Sequence, residues 1–173
     1  MPALSAAHHQ AWYVFLTAHA KLVDRVNRHL TAAGVLSLEW YDVLLALSQA
    51  PKHRLRMSEL AEKVTLSRSG LTRLVDRLEA TDLLRRENCA EDRRGAFAVL
   101  SPAGLRALKK TWPNYEKEIQ RSFARQIDAE EAKVIAAALT RVVQAMEDVA
   151  TPSGSGNRGH GVGVGGHPAD SDG

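Results

Sequence analysis

Apolar residues recur at helical spacing from His8 to Leu30, where Trp12, Phe15, Leu16, His19, Leu22, Val23, Val26 and Leu30 share one stripe. The pattern predicts a long first helix that ends near Gly34, and Ser37 opens a second. Met57 to Leu78 then reads as two short helices parted by a turn. In the second of these, Leu71, Leu74, Val75 and Leu78 fall at i, i+3, i+4 and i+7 and make a buried stripe. Arg68, Ser69, Thr72, Arg73 and Arg77 are left facing outward. Ser58 and Ser67 each precede an apolar run, where a hydroxyl can accept from an orphan backbone N–H, so both are read as N-caps.

After Asp82 the runs Leu83–Glu87 and Ala96–Leu100 flank a polar tip, the pattern of a β-hairpin. Ser101 and Pro102 supply a cap and first-turn proline for another helix, with a stripe of Leu105, Leu108, Trp112, Tyr115, Ile119 and Phe123. Pro113 lies inside that helix and predicts a kink rather than a break. Asp128-Ala129-Glu130-Glu131 resembles a capping box, and Val134, Ile135, Ala138, Leu139, Val142, Val143 and Met146 form a last amphipathic helix. From Thr151 the chain is rich in Gly, Ser and Pro with almost no large apolar residue, which predicts disorder.

Two short helices followed by a hairpin make a winged helix-turn-helix. The expected fold is mainly α with a small β-hairpin wing, and with long N- and C-terminal helices whose surplus apolar surface suits dimerisation. The boundaries read as 1–36 for the N-terminal dimerisation helix, 37–101 for the DNA-binding lobe, 102–149 for the C-terminal dimerisation helices and 150–173 for a disordered tail. A recognition helix meets base edges with its opening turns, where the positive helix end also favours phosphate. Ser67, Arg68, Ser69, Thr72, Arg73 and Arg77 are therefore candidate contacts to duplex DNA, with Arg73 on the outer face as the base reader. At the hairpin tip, Arg93 and Arg94 carry the charge that a narrow minor groove attracts. Asp92 has the wrong sign for phosphate and is assigned to bracing the wing.

These motifs resemble the MarR (multiple antibiotic resistance regulator) family. The resemblance rests on Leu38-Glu39-Trp40-Tyr41-Asp42-Val43-Leu44-Leu45-Ala46-Leu47, the helix-turn-helix, Asp92-Arg93-Arg94 fitting the Asp-x-Arg of the wing, and Val99-Leu100-Ser101-Pro102-Ala103-Gly104. It covers about Leu4 to Val149. Gly70 departs from it, because glycine inside a helix costs about 1 kcal/mol against alanine. The resemblance implies that Arg94 enters the minor groove while Asp92 braces the wing, and that the protein is a twofold homodimer; the surplus apolar helix at both ends then predicts a pseudo-palindromic operator. It also implies a repressor released by a small aromatic or phenolic ligand, held where the dimer helices meet the DNA-binding lobe. That region includes Trp12, His19, Trp40, Tyr41, Trp112 and Tyr115. A constitutive DNA-binding regulator, or one responding to a metal or to redox state, are the alternatives.

Composition narrows the field. Across 173 residues the formal net charge is +3, which points to a localised basic surface rather than a protein that coats nucleic acid. Lys52, His53, Arg54 and Arg56 add positive charge just ahead of the first motif helix. No apolar run reaches the length of a membrane span, no secretion signal is recognisable, and the lone Cys89 cannot form an intrachain disulfide, so the expected location is cytoplasmic. A Gly-rich phosphate loop, a His-Glu-x-x-His and a nucleophile elbow are all missing, so no catalytic residue and no cofactor is expected. His8, His9, His19, His29, His53, His160 and His167 are scattered without metal-ligand spacing, and no metal site is expected. The resemblance places a peroxide-sensing cysteine in the first helix; Cys89 lies near the wing instead and is read as incidental.

Overall fold

Ser5 starts the first helix by accepting the backbone N–H of His8, and α1 then runs from Ala6 to Ala32. The computed structural model describes residues 3–64, 68–88 and 96–150. In order along the chain follow α2 (Leu38–Ser48), β1 (Arg54–Arg56), α3 (Met57–Lys63), α4 (Arg68–Ala80), β2 (Leu84–Asn88), β3 (Ala96–Leu100), α5 (Pro102–Ile119), a π-helical turn (Gln120–Ala124) and α6 (Ala129–Ala150). This is the mainly helical winged helix-turn-helix that the sequence predicts. The described chain divides into two compact units, one ending at Ile119 and the other starting at Gln120.

In the first unit, α1 stops where the pattern placed its end. Gly34 takes the left-handed conformation (φ 62°), Val35 N–H returns to Leu30 O at 3.2 Å, and Gly34 N–H to Thr31 O at 3.1 Å. This pair of bonds is a Schellman closure, which favours glycine at that residue. Ser37 precedes α2 as expected, but its hydroxyl makes no capping bond. The first amide of α2 is satisfied from α1, by Asn27 Oδ1 at 3.0 Å from Leu38 N.

In the first unit the core gathers one face each of α3, α4, α5 and the three strands around α2. Tyr41, Val43, Leu44 and Leu47 of α2, Leu60 of α3, Leu71, Leu74, Val75 and Leu78 of α4 and Leu108 of α5 are all essentially closed to solvent. Trp40, Leu105, Trp112 and Tyr115 pack at its edge. The N-terminal half of α1 contributes nothing to this core: only Val26 and Leu30 of its stripe are buried.

The start of α3 corrects the sequence reading. Arg56 occupies the N-cap position, so Ser58 lies inside the helix and does not cap it. Glu59 reaches back to accept the Arg56 N–H at 2.9 Å, which is the acidic half of a capping box. Ser67, the other expected cap, lies outside the described residues, as do Cys89, the wing tip with Asp92, Arg93 and Arg94, and the tail from Thr151.

A third strand was not foreseen. β1 is only Arg-Leu-Arg, too short for alternation to register, yet it joins the hairpin in the order β1-β3-β2, antiparallel throughout. Leu55, Leu84, Ala98 and Leu100 turn into the core. Ser101 ties the sheet to α5: its hydroxyl donates to Asp82 O at 2.6 Å and accepts from Gly104 N at 2.9 Å. Asp82 itself is left-handed (φ 59°) and ends α4 by the same two-bond closure, Leu83 N to Leu78 O and Asp82 N to Glu79 O. At this junction α5 runs so close to the chain entering β2 that a Cβ on Gly104 would collide with the carbonyl oxygen of Leu83.

α5 runs through Pro113 without a break. Its buried face includes two polar residues that an apolar stripe cannot reveal, Thr111 and Glu118. In the second unit, Asp128 and Glu131 complete the expected capping box: Asp128 Oδ1 accepts from Glu130 N and Glu131 N, and Glu131 Oε2 from Asp128 N at 2.9 Å. Val134, Val142 and Met146 lie exposed along α6.

Gly104→Ala is expected to destabilise the protein by about 3 kcal/mol or more, because the methyl meets backbone rather than a yielding side chain. Urea denaturation followed by circular dichroism measures it, with the α5 substitution Ala103→Gly, which adds no atoms, as the control.

Candidate nucleic-acid interface

Burial of Leu71, Leu74, Val75 and Leu78 to 1% exposure or less fixes the rotation of α4. Ser69, Thr72, Arg73, Asp76 and Arg77 are thereby turned to solvent, as the spacing predicts. Gly70 falls in the first turn rather than the helix interior, where the cost of glycine is smaller. Among the described residues neither Arg73 nor Arg77 forms an ion pair. The side chain of Arg68 lies outside the described residues, with Ser67, Asp92, Arg93 and Arg94.

The acids of α4 are engaged by a residue that the sequence reading passed over. Arg86 sits on the inward-facing side of β2, in step with Leu84, and reaches across to the helix. Its Nη1 stands 2.5 Å from Asp76 Oδ1 and 3.0 Å from Glu79 Oε2, while Nη2 donates to Thr72 O at 3.3 Å. Its backbone N–H donates to Glu79 Oε1 at 2.7 Å. One strand residue therefore holds two turns of the recognition helix and neutralises the carboxylates beside Arg73 and Arg77. A signal was present in the sequence: an arginine two residues after a buried leucine on a strand needs an anionic partner, and Asp76 and Glu79 stand three apart on the preceding helix.

The aromatic residues grouped by the resemblance separate into different settings. Tyr41 packs edge-on against Tyr115 at 5.1 Å between ring centroids, and Tyr115 against Trp112 at 6.1 Å, a packed cluster. Burial pushes the Tyr41 and Tyr115 phenols up, and the Tyr41 hydroxyl has no hydrogen-bond partner among the described residues. Trp12 and His19 are exposed on α1. Trp40 alone of the six lines an open cavity of about 460 Å³, together with Gly34, Val35, Leu36, Ser37, Leu83, Ala107, Lys110 and Thr111. Asp42 reaches solvent on one side, yet the protein around its carboxyl, and secondarily Glu39, lift it to about 6.

A buried ionic group joins α1 to α5. Glu118, 2% exposed, accepts from Arg25 Nε at 2.5 Å and lies 3.7 Å from His29 Nδ1. No cluster of three or more His, Cys, Asp or Glu side chains suited to a metal occurs among the described residues, and no helix there is long and apolar enough to cross a membrane.

A sequence profile of the MarR family matches residues 36–95, from the approach to α2 to the wing. Over a longer span, the solved structure of AbsC, a MarR family transcriptional regulator from Streptomyces coelicolor, matches at TM-score 0.76 and 31% identity, covering 86% of this chain and 99% of AbsC. The chain belongs to the MarR family. A second MarR family regulator from Streptomyces coelicolor, Sco3205, solved in complex with DNA, matches at TM-score 0.77 and 30% identity over 84% of this chain and 91% of that one. The HTH-type transcriptional regulator PrsX of Escherichia coli is 31% identical over 104 residues, which is 60% of this chain and 62% of PrsX. MarR family proteins are transcriptional regulators and not enzymes, in keeping with a sequence that carries no catalytic motif.

Two measurements follow from this geometry. Arg86→Gln combined with Asp76→Asn in a double-mutant cycle should give a coupling of about 1 kcal/mol in chemical denaturation, the size expected for a partly exposed ion pair within a network. For Asp42, folding raises the carboxyl pKa from 3.8 to about 6, so the folded chain holds a proton that the unfolded chain releases between those values. Stability should therefore fall as pH rises through that window. Asp42→Asn is expected to raise the thermal midpoint at pH 7.5, with the difference vanishing towards pH 4.

Proposed function

We propose that the protein is a homodimeric, sequence-specific binder of duplex DNA that represses transcription and is released by a small aromatic ligand. The observation that carries the DNA-binding part is the outer face of α4, where Arg73 and Arg77 stand without acid partners among the described residues while Arg86 occupies the neighbouring carboxylates. Sco3205, similar over most of this chain, was solved with DNA bound, which supports the reading. On this proposal Arg73 forks onto a guanine edge, and Ser67, Arg68, Ser69, Thr72 and Arg77 bond bases or phosphates. Arg93 and Arg94 serve the minor groove, and Asp92 braces the wing.

Exposed apolar residues support the homodimer. Trp12, Tyr13, Phe15 and Leu16 on α1, and separately Val134, Val142 and Met146 on α6, are between 40% and 68% exposed, more large apolar surface than a monomer ordinarily leaves in water. A twofold dimer presents two recognition helices, so the half-sites lie about one helical turn, roughly 34 Å, apart or a multiple of that. The cavity beside Trp40 supports ligand release: it is of small-molecule size, and Lys110 at its rim suits a carboxylate. Such a ligand acts only through unequal affinity for the DNA-competent and incompetent forms.

Selection of bound duplexes from random-sequence DNA tests the proposal. The expected product is a pseudo-palindrome bound by a dimer in sedimentation, with aromatic carboxylic acids weakening the complex. Arg73→Ala should cost about 1–3 kcal/mol and relax preference at one position in each half-site. A monomer at micromolar concentration, or wild-type specificity in Arg73→Ala, would overturn the corresponding part, and indifference to a broad ligand panel would favour a constitutive regulator.

A further inference from the structure

The outward face of the three-stranded sheet carries a second basic surface. In the strand register Arg54 and Arg85 flank Val99 from either side, and Arg56 and Glu87 flank Phe97 in the same way. Because side chains alternate along a strand, these six share the face opposite Leu55, Leu84, Ala98 and Leu100, which fill the core. The Phe97 ring draws two guanidiniums together: Arg54 Cζ stands 4.1 Å from its centroid and Arg56 Cζ 5.4 Å. The negative face of the ring offsets part of the repulsion between them. Glu87 accepts from Arg85 Nε at 3.0 Å and Nη2 at 2.6 Å, and its other oxygen lies 3.8 Å from Arg54 Nη1.

Arg54 and Arg85 thus share a single carboxylate, and the excess charge of this group is positive. Arg85 is 68% exposed and Arg54 41%, so both heads are open to a ligand, whereas Val99 between them is only 9% exposed. The arginines of this face lie on the two outer strands, β1 and β2, with β3 between them, a spread suited to a polymer of repeating negative charge. Along the chain, β2 and β3 lead directly into the segment that bears Arg93 and Arg94.

We propose that Arg54 and Arg85, set on either side of Val99, form a sequence-independent phosphate-binding surface for the DNA backbone flanking the operator, and that Glu87 attenuates it. The inference rests on the DNA-binding reading given above. It extends the protein's footprint outward from the recognition helices and adds to the salt dependence without adding specificity.

The test uses the full chain and two duplexes obtained by selection from random-sequence DNA, one trimmed to the bound site and one extended by ten base pairs on each side. Wild-type protein is expected to bind the extended duplex several-fold more tightly. Arg54→Gln with Arg85→Gln should abolish that gain, leave affinity for the trimmed duplex unchanged, and lower the slope of log K against log salt by about 0.9 for each phosphate no longer neutralised. Glu87→Gln should act in the opposite direction, raising affinity for the extended duplex. Circular dichroism confirms that the variants are folded. Equal affinities of wild type for the two duplexes, or an equal loss on both in the double variant, would overturn the proposal. Wild-type behaviour of the double variant would also overturn it and would leave an acidic protein segment as the occupant. Failure of selection to enrich any sequence would instead defeat the underlying DNA-binding reading.

Discussion

The guanidinium of Arg86 is the constraint on which the outer face of α4 depends. A helix packed by four apolar side chains is fixed in rotation, but apolar contacts are non-directional and leave its tilt against the sheet weakly specified. Hydrogen bonds from one strand residue to Thr72, Asp76 and Glu79 add direction. They also set the charge of the helix. Without Arg86, Asp76 and Glu79 would stand on the same helix as Arg73 and Arg77 and cancel them towards an approaching phosphate. A single side chain thus both aims the helix and leaves it basic.

The same economy governs the junction between α4, the sheet and α5. Asp82 adopts a left-handed conformation that costs an L-residue roughly 1–2 kcal/mol, and its carbonyl is then turned to receive the Ser101 hydroxyl. Ser101 in turn caps α5, whose third residue must be glycine because Leu83 O occupies the space of its Cβ. The wing strands are therefore anchored to the recognition helix at one end and to α5 at the other, so a displacement of α5 is passed to the base of the wing through backbone contacts. The cavity beside Trp40 includes Leu83 in its lining, the residue whose carbonyl closes this junction.

Much of this architecture was legible in the sequence because it follows from periodicity and from short capping motifs. The α4 stripe, the α1 stop at Gly34, the Ser101-Pro102 start of α5 and the Asp128 capping box all lie within a few residues of the signals that specify them. What could not be read depended on distant partners. Ser58 looks like a cap until β1 pairs with β3 and carries the helix start back to Arg56, a pairing made across more than forty residues. β1 has no alternation to display in three residues. Arg86 was visible as charge but not as a clamp, because its role requires knowing that β2 lies beside α4. Of the aromatic group suggested by the resemblance, Tyr41, Tyr115 and Trp112 pack together, Trp40 packs against the same core and lines a cavity, and Trp12 faces solvent.

Glu118 carries a consequence for how such a protein can move. The carboxylate closed off between α1 and α5 is held by Arg25, whose own side chain is half exposed, and a buried carboxylate parted from its cation is left uncompensated. A slip of one helical turn, about 5.4 Å, would carry Glu118 beyond the reach of both Arg25 and His29. The pair therefore opposes sliding of α5 along α1. Rotation of the two helices together as one strut leaves the pair intact, whereas sliding of one along the other does not.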